Sequence, residues 1–559
     1  MRSDRQIKTP AIAAFLRTIS LVLFVVVGVP ALAQDVANNE AIRTEIENLR
    51  ETGQLSIGEV DIATGNALAE FYERREFRPT WSSVDKVGQL LELVRGSRDD
   101  GLNPADYHAA EIERAYRALE KGTTPTPRQV AAIDLLFTDS LLRLGFHQAF
   151  GRVDPATLDS RWNFNGRPVG PDPLKTLQDA IDSPSLARFT EQIYDRGPLY
   201  VRLRKALKAH RQIRDEGGWA VTPEGVTLKE GMSDERVTII ARRLAISGDL
   251  EGLITSTENV YSAELADGVR AFQARHGLEA DGVLGPATLR AMNVPVENRI
   301  DQLRISMERA RWVMGGLEDD FIIVNIAGFR AYLVQDGAVA WETRVVVGRP
   351  YHKTPVFRDE MTYVVMNPTW TVPYSIATRE MLPVIQRDPD YFATRTFDVR
   401  NRAGDNVDPD SIDWSQLSRG NFPYTFVQRP GPANALGRIK FIFPNEYAVY
   451  LHDTPSKSLF GRSERAFSHG CIRTQNPFDL AERLLAPTGW DRARIDAQIE
   501  SAEMRTVHLA EPLPVLLMYW TADVDTDGKI MFHKDIYDRD QRVLAALDAP
   551  FEVNLPLDQ

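Results

Sequence analysis

The chain has 559 residues, of which 43% are hydrophobic and 26% are charged, and its formal net charge is −12 at pH 7. At about 100–200 residues per domain, this length predicts several domains, and the acidic balance argues against a nucleic-acid partner. A single cysteine in the whole chain excludes an internal disulfide.

The N-terminus has the pattern of an export signal. Arg2 and Arg5 precede the apolar run "TISLVLFVVVGVP", and "ALA" follows it immediately before Gln34. A basic segment, a short apolar segment and a small-x-small site predict a signal peptide over residues 1–33, cleaved after Ala33. An uncleaved inner-membrane anchor is the alternative, although the run is shorter than the about 20 residues that span a bilayer. We therefore expect a periplasmic protein.

Residues 36–215 are predicted to form a mostly helical scaffold domain. The segments "AIDLLFTDSLLRLGFHQAF" and "LYVRLRKALKAHRQIRDEG" carry apolar residues at helical spacing. His108 and His147 stand alone in this region, and we expect structural roles for both. No group of side chains here has the pattern of a catalytic site.

Residues 225–295 are predicted to form a small module of three helices. Apolar residues at helical spacing mark the first two helices, and Pro286 after Gly285 suits the first turn of the third. Asp281-Gly282 between the second and third helices is typical of a tight turn.

From about residue 320 the apolar period changes to that of strands. The segment "FIIVNIAGFRAYLVQDGAVAWETRVVVG" predicts a β-meander, which opens a mixed-β domain over residues 320–502. A turn-rich insertion at about 375–429 is expected to cap this domain. Residues 503–559 are predicted to be a C-terminal β-hairpin extension that turns at Asp527-Gly528. The expected fold class is therefore multidomain α+β: a helical scaffold, a three-helix module and a mixed-β domain.

The sole cysteine lies in the polar, glycine-flanked stretch "FSHGCIRTQNP". A nucleophilic thiol needs a base or a positive field and donors for the oxyanion that forms. His452 ends the predicted strand "AVYLH", so we expect its side chain at a sheet edge facing a loop. His469 and Arg473 lie two residues on either side of Cys471, so in an extended chain all three side chains point the same way. These neighbours predict a lowered thiol pKa.

Two other interpretations use the same residues. His452, His469 and Cys471 have the donor types of a zinc site, but the positive charge of Arg473 close by disfavours a metal ion. The stretch could also be purely structural, with the cysteine serving as a small apolar residue and the histidines bonded to backbone groups. We expect neither a metal nor a cofactor.

Several motifs carry a resemblance to a known family. The segment "HDTPSKSLFGRSERAFSHGCIR" is similar to the L,D-transpeptidase signature, and "VVVGRPYHKTP", "NPTWTVP" and "GPANALGRIKFIFPN" resemble other blocks of that family. "FQARHGLEADGVLGPAT" resembles the peptidoglycan-binding domain family. The order of scaffold, module and catalytic domain with a cap insertion resembles the large periplasmic subfamily. Many family members carry Asn where Arg473 stands, although Arg is familiar in the large subfamily.

The resemblance implies roles for six residues. Cys471 would be the nucleophile and His452 the proton acceptor and donor, and four others would shape the oxyanion and donor-stem site: Ser468, His469, Gly470 and Arg473. The implied substrate is the peptide stem of peptidoglycan. Attack on the carbonyl of its third, diaminoacyl residue would release the terminal D-Ala, and transfer of the thioester to an amine would give a 3→3 cross-link. Carbapenem β-lactams would acylate the same thiol.

The sequence leaves the acyl acceptor open. Water as acceptor would make the protein an L,D-carboxypeptidase or endopeptidase, a free D-amino acid would make it an exchange enzyme, and a protein lysine would make it a protein-anchoring enzyme. A cell-wall-binding protein without turnover is the alternative of a different class. Other cell-wall synthesis proteins are candidate partners.

Overall fold

The computed structural model describes residues 33–160, 162–164, 172–186, 197–251, 259–314, 317–388, 390–393 and 395–550. Apart from Ala33, the predicted signal peptide lies outside the described residues. Among the helices of these described segments, none combines the length and the apolar character needed to cross a membrane. The described residues divide into two compact units: those that fall within 1–153, 166–204 and 545–559, and those that fall within 154–165 and 205–544.

The first unit is built from helices around one apolar core. Its longest helix, Pro127–Phe150, begins with a capping box in which Thr126 and Gln129 bond each other's backbone, and Pro127 occupies the first helical position. Leu68, Tyr72 and Phe137 are fully buried or nearly so. The other helices of this unit are residues 33–52, Gly65–Arg74, Val84–Gly96, Ala109–Glu120 and Pro173–Asp182, and two short strands pair: β1 (Ser56–Ile57) and β2 (Val60–Asp61).

The two isolated histidines of this region are buried and hydrogen-bonded. His108 Nε2 lies 2.9 Å from Asp139 Oδ2, and His147 Nδ1 lies 2.9 Å from the hydroxyl of Tyr107. Buried polar groups need such partners, because an unpaired one loses its hydration without compensation. These contacts support the structural roles predicted for both residues.

The three-helix module has its own core. Its helices are Val237–Ile246, Ala263–Arg275 and Pro286–Met292, and Ile240, Leu244 and Phe272 are fully buried between them. The next helix, Val296–Met314, was not predicted, although Ile300, Leu303 and Met307 repeat at helical spacing and are buried. The helix Gly197–Asp215 coincides with a segment whose apolar spacing predicted it.

The second unit contains a mixed nine-stranded sheet. Its strand order is β13-β5-β14-β12-β11-β6-β15-β3-β4, and an additional β4–β5 pairing closes the strands from β5 to β4 into a ring. The pairs β12–β14, β13–β5 and β3–β15 are parallel, and the remaining pairs are antiparallel. The bounds are β3 (Phe321–Asn325), β4 (Arg330–Gln335), β5 (Ala338–Gly348), β6 (Phe357–Met366), β11 (Ile439–Ile442), β12 (Leu451–His452), β13 (Ala466–Ser468), β14 (Ile472–Thr474) and β15 (Arg505–Met518).

The C-terminal part differs from the prediction. Residues 503–559 are not a hairpin extension as a whole, because β15 lies inside the ring between β6 and β3. Val515, Leu516 and Leu517 are fully buried there. This partner choice is long-range in sequence, so local periodicity did not reveal it. The predicted turn at Asp527-Gly528 is present and joins β16 (Ala522–Val524) to β17 (Ile530–Phe532).

The cap insertion has a sheet and a core of its own. Its strands pair in the order β7-β10-β8-β9, and Val399 and Phe426 are buried within it. A π-helical turn, Ala377–Met381, lies in its first part. The strand bounds are β7 (Trp370–Thr371), β8 (Phe397–Arg400), β9 (Asn406–Val407) and β10 (Thr425–Gln428). The fold class predicted from the sequence, a multidomain α+β chain, is confirmed.

Candidate active site

The sole cysteine lies in the turn between β13 and β14. Gly470, immediately before it, has a φ of 121°, a backbone conformation that residues with a Cβ avoid. The Ser468 hydroxyl accepts a hydrogen bond from Gly470 N–H at 3.1 Å and donates one to the Cys471 carbonyl at 2.6 Å. The motif Ser-His-Gly-Cys therefore closes a tight turn, and the role of Ser468 seen here is to hold that turn.

A threonine from another part of the chain fixes this turn to the sheet. The Thr354 hydroxyl donates to the carbonyl of Gly470 at 2.8 Å and accepts from the N–H of Gly348 at 2.9 Å. Thr354 is fully buried. Sequence reasoning did not identify this residue, because nothing in its local pattern marks a contact to a turn more than a hundred residues away.

Strand register places His452 and the thiol on one face of the sheet. In the parallel pair β12–β14, Leu451 is opposite Ile472 and His452 is opposite Arg473. Leu451 and Ile472 are both fully buried in the core. Because side chains alternate along a strand, His452 and Arg473 share the other face, together with Lys440, which is opposite His452 on β11. Cys471, immediately before Ile472, adjoins that face.

His452 is more enclosed than the sequence predicted. It lies on a strand in the interior of the sheet rather than at an edge, and only 4% of its surface is exposed. Burial, reinforced by the positive charge of Arg473, lowers the pKa of His452 to about 3. Its Nδ1 contacts the carbonyl of Asp453, which can only accept, so Nδ1 carries the proton. With Nδ1 protonated, Nε2 is the nitrogen that carries the lone pair, and the backbone of Leu436 also hydrogen-bonds the imidazole.

The thiol is protonated in this resting arrangement. Cys471 is half-buried, and its Sγ lies 3.6 Å from the carbonyl of Ala448, the group to which it donates. Burial raises the pKa of the thiol, and hydrogen bonds from Tyr450 and the charges of Lys440 and Arg473 oppose that rise only in part. The predicted lowering of the thiol pKa is therefore wrong, because desolvation exceeds the effect of the cations.

Tyr450 and Lys440 belong to the site although the sequence analysis did not single them out. The Lys440 ammonium lies 3.7 Å from the centre of the Tyr450 ring, and that ring is 5.6 Å from the ring of His452. Tyr450 hydrogen-bonds Cys471. Burial lowers the pKa of Lys440 and raises that of Tyr450. Tyr450 and His452 are two residues apart in the predicted strand "AVYLH", and this period of two was the available signal.

His469 faces the cap rather than the thiol. Its Nε2 lies 2.6 Å from Glu380 Oε1, which belongs to the π-helical turn of the cap, and its ring is 5.0 Å from that of His352. The positive φ of Gly470 breaks the extended geometry that would have aligned His469 with Cys471. π-helical turns often occur at functional sites.

One backbone donor is free to bind an oxyanion. The N–H of Cys471 makes no hydrogen bond with any residue that the structure describes, whereas the N–H of Gly470 is engaged by Ser468. A backbone N–H beside the nucleophile is the usual kind of donor for a developing oxyanion. The N–H of Gly470 therefore helps to close the turn, and the role predicted for this residue in the oxyanion and donor-stem site stays a prediction.

Two further observations bear on the alternatives. Among the described residues no group of three or more His, Cys, Asp or Glu side chains is arranged to hold a metal ion. A cavity of about 1070 Å³ lies between the three-helix module and the ring of strands, but neither Cys471 nor His452 lines it. That cavity is therefore separate from the candidate site.

Comparison with known proteins assigns the domains. Residues 66–207 match the "Scaffold domain" family model, residues 233–292 the "Putative peptidoglycan binding domain" model and residues 319–499 the "L,D-transpeptidase catalytic domain" model. The fold and these matches define a multidomain protein whose catalytic domain is of the cell-wall transpeptidase class. Residues 319–499 thus match the catalytic domain of the L,D-transpeptidases, the family that the motifs predicted.

Individual relatives match over part of their length. A curated protein of Haemophilus influenzae, named "Putative L,D-transpeptidase", is 36% identical over 222 residues, which are 40% of this chain and 45% of that protein. The chain thus matches less than half the length of this relative. The solved Ldtfm–avibactam carbamoyl enzyme and the L,D-transpeptidase from Xylanimonas cellulosilytica are each 14% identical, with TM-scores of 0.18 and 0.16. They cover 40% and 53% of this chain, and 64% and 99% of their own chains.

The resting protonation state of the thiol can be measured directly. Because burial raises the pKa of Cys471, we expect no thiolate at neutral pH and its appearance only above the ordinary thiol value of about 8.5. As the chain has one cysteine, the thiolate absorbance of the wild type minus that of Cys471→Ser reports this residue alone. A thiolate signal already present at pH 6 would instead indicate an ion pair with His452.

Proposed function

We propose that the protein forms 3→3 cross-links in peptidoglycan through a thioester on Cys471. The observation that carries this proposal is the shared face of the sheet, where the imidazole of His452 lies beside the thiol, two cations and the Cys471 N–H. Neither the cations nor this N–H has a partner of the needed kind among the residues described. The match of residues 319–499 to the L,D-transpeptidase catalytic domain supports the same reaction. The export pattern of the N-terminus supports action in the periplasm.

The first step would acylate the enzyme. His452 Nε2 takes the thiol proton as Sγ bonds to the carbonyl carbon of the third stem residue, and the carbonyl electrons move onto oxygen near the Cys471 N–H. The tetrahedral intermediate collapses, the C–N bond to D-Ala breaks, and the imidazolium returns its proton to the leaving amine. Because burial and Arg473 lower the pKa of His452 to about 3, the proton moves to His452 only as the bond from Sγ to carbon forms, and the imidazolium then gives it up readily to the leaving amine.

The second step would transfer the acyl group. An amine of a neighbouring stem attacks the thioester carbonyl, the C–S bond breaks, and the amine proton returns to the thiolate through His452. Water as the acceptor would give hydrolysis, so excluding water favours the cross-link. The cap, held near the catalytic turn by Glu380 and His469, is placed where it could serve that purpose.

The proposal is tested by incubating the pure protein with disaccharide-tetrapeptide and measuring the masses of enzyme and products. We expect an enzyme adduct that has lost D-Ala, followed by dimers joined through third residues. Tripeptide without dimers would support hydrolysis instead, and no adduct on the enzyme would contradict the nucleophile.

We expect the contact between Glu380 and His469 to tune substrate affinity. Both side chains are partly exposed, so removing the charge in Glu380→Gln should raise KM for the stem by about two- to fivefold while kcat changes less. Asp410→Asn is a matched control, since Asp410 is an exposed acid of the cap whose side chain makes no hydrogen bond to another described residue. Equal KM values for the wild type and Glu380→Gln would show that the cap is held by other contacts.

A further inference from the structure

Two arginines near the thiol have no acidic partner in the segments that the structure describes. Arg473 follows Cys471 by two residues, is half-buried, and has an enclosed Nε without a hydrogen-bond partner. Arg349 directly follows β5, and within the described part of the chain its one side-chain hydrogen bond goes from Nη1 to the hydroxyl of Tyr351 at 2.9 Å. Among the described residues neither arginine lies within ion-pair distance of a carboxylate. The carboxylate of Glu380, on the cap, is engaged by His469.

The two arginines belong to neighbouring strands, since Arg473 on β14 is opposite Val346 on β5 and Arg349 directly follows β5. Burial, and next the charge of Arg349, lower the pKa of Arg473. Lys440, on the same face as Arg473, adds a third cation without an acidic partner among the residues described. Since the thiol is neutral at rest, these positive charges are uncompensated. Keeping unpaired cations together in a half-buried site costs free energy, and a bound anion would recover it.

The position of Arg349 is fixed relative to the thiol. Its N–H donates to the carbonyl of Ser468 at 3.0 Å, and its carbonyl accepts from His352 N–H at 2.8 Å. The preceding Gly348 is bonded to Thr354, which in turn holds Gly470. A Cβ on Gly348 would lie 2.0 Å from the His352 carbonyl oxygen, so this turn accepts only glycine there. The arginine is therefore presented by a rigid turn, which reduces the entropy lost on binding.

We propose that Arg349 and Arg473 together bind a carboxylate of the donor stem peptide and so select stems in which that carboxylate is free. This inference rests on the proposed function and names a further specificity determinant for it, Arg349. The guanidinium fork suits a carboxylate because it offers two parallel N–H donors. The tetrapeptide stem supplies this group from two sources: the terminal D-Ala and, where the diamino acid carries one, the side chain of the third residue.

The test compares three tetrapeptide stems: one with both carboxylates free, one amidated on the third-residue side chain and one amidated at the D-Ala terminus. The rate of adduct formation on Cys471 is measured for each by mass spectrometry. We expect one amidated stem to react about 10- to 100-fold more slowly than the free stem, the range of a lost charge-assisted hydrogen bond. The slower stem identifies the carboxylate. Equal rates for all three stems would overturn the inference.

The variant Arg349→Gln tests whether Arg349 causes the preference for stems with a free carboxylate. We expect the ratio of rates for the free and the slower amidated stem to fall towards one. Arg462→Gln is the control, because Arg462 is an exposed arginine of the same domain whose side chain has no partner among the described residues, and it should keep the full ratio. A ratio that stays at the wild-type value in Arg349→Gln would also overturn the inference.

Binding measurements distinguish a failure of this inference from a failure of the proposed function. In Cys471→Ser, which lacks the thiol, calorimetry should show tighter binding of the free stem than of the amidated one, and adding Arg349→Gln should remove the difference. Equal affinities in Cys471→Ser would contradict the arginine site. Failure of every stem to form an adduct on the wild type, with the affinity difference intact, would contradict the nucleophile and leave the carboxylate site standing.

Discussion

Replacement of Cys471 by serine is expected to abolish covalent capture of the tetrapeptide stem and to lower turnover by about 10⁴-fold or more. Serine is close in size to cysteine, and the turn is held by Ser468 and Thr354, so the fold should survive. The hydroxyl is a much weaker nucleophile than the thiol beside a base whose pKa is about 3. Mass spectrometry of the intact protein measures the adduct.

The control for this experiment is the thermal unfolding of both proteins. Equal midpoints would show that the loss is chemical rather than structural. A carbapenem is a useful second probe, because the family resemblance implies that it acylates the same thiol without needing an acceptor. An adduct on Cys471→Ser with either reagent would remove Cys471 from the role of nucleophile.

Replacement of His452 by asparagine is expected to slow acylation by about 10²- to 10⁴-fold at pH 7, the usual contribution of a general base. Asparagine can keep the hydrogen bond to the carbonyl of Asp453, which His452 makes through Nδ1. It has no basic nitrogen to accept the thiol proton. The loss should therefore report on proton transfer rather than on packing, although this position is only 4% exposed.

The pH dependence of the acylation rate tests the same assignment of His452. In the wild type, His452 is neutral above its pKa of about 3 and the thiol stays protonated until alkaline pH, so the acylation rate should be flat from pH 5 to 8. In His452→Asn only the thiolate fraction reacts, so the rate should rise about tenfold per pH unit over this range. His469→Asn is the matched comparison, and it should stay flat with only a partial loss, because His469 contacts Glu380. Equal losses in the two variants would contradict the assignment of His452.

Local chemistry along the chain predicted much of the fold. The helices at Pro127–Phe150 and in the three-helix module follow from apolar spacing and from Pro at the first helical position. The turn at Asp527-Gly528 follows from residues that tolerate a positive φ. These signals act between residues a few positions apart. The place of β15 inside the ring depends on distant partners, and no local signal carries that information.

The sequence by itself determined which residues could do the chemistry: one cysteine in a glycine-flanked turn, a histidine at the end of a strand, and the family motifs around them. Only the tertiary structure decided the protonation states of the thiol and of the histidine. The thiol pKa is raised and His452 stays neutral because burial removes hydration from the charged forms. The contacts of Glu380 with His469, 89 residues apart, and of Arg349 with the catalytic turn form only when distant segments meet. Desolvation and charge interactions depend on distances in space, which the order of residues along the chain does not reveal.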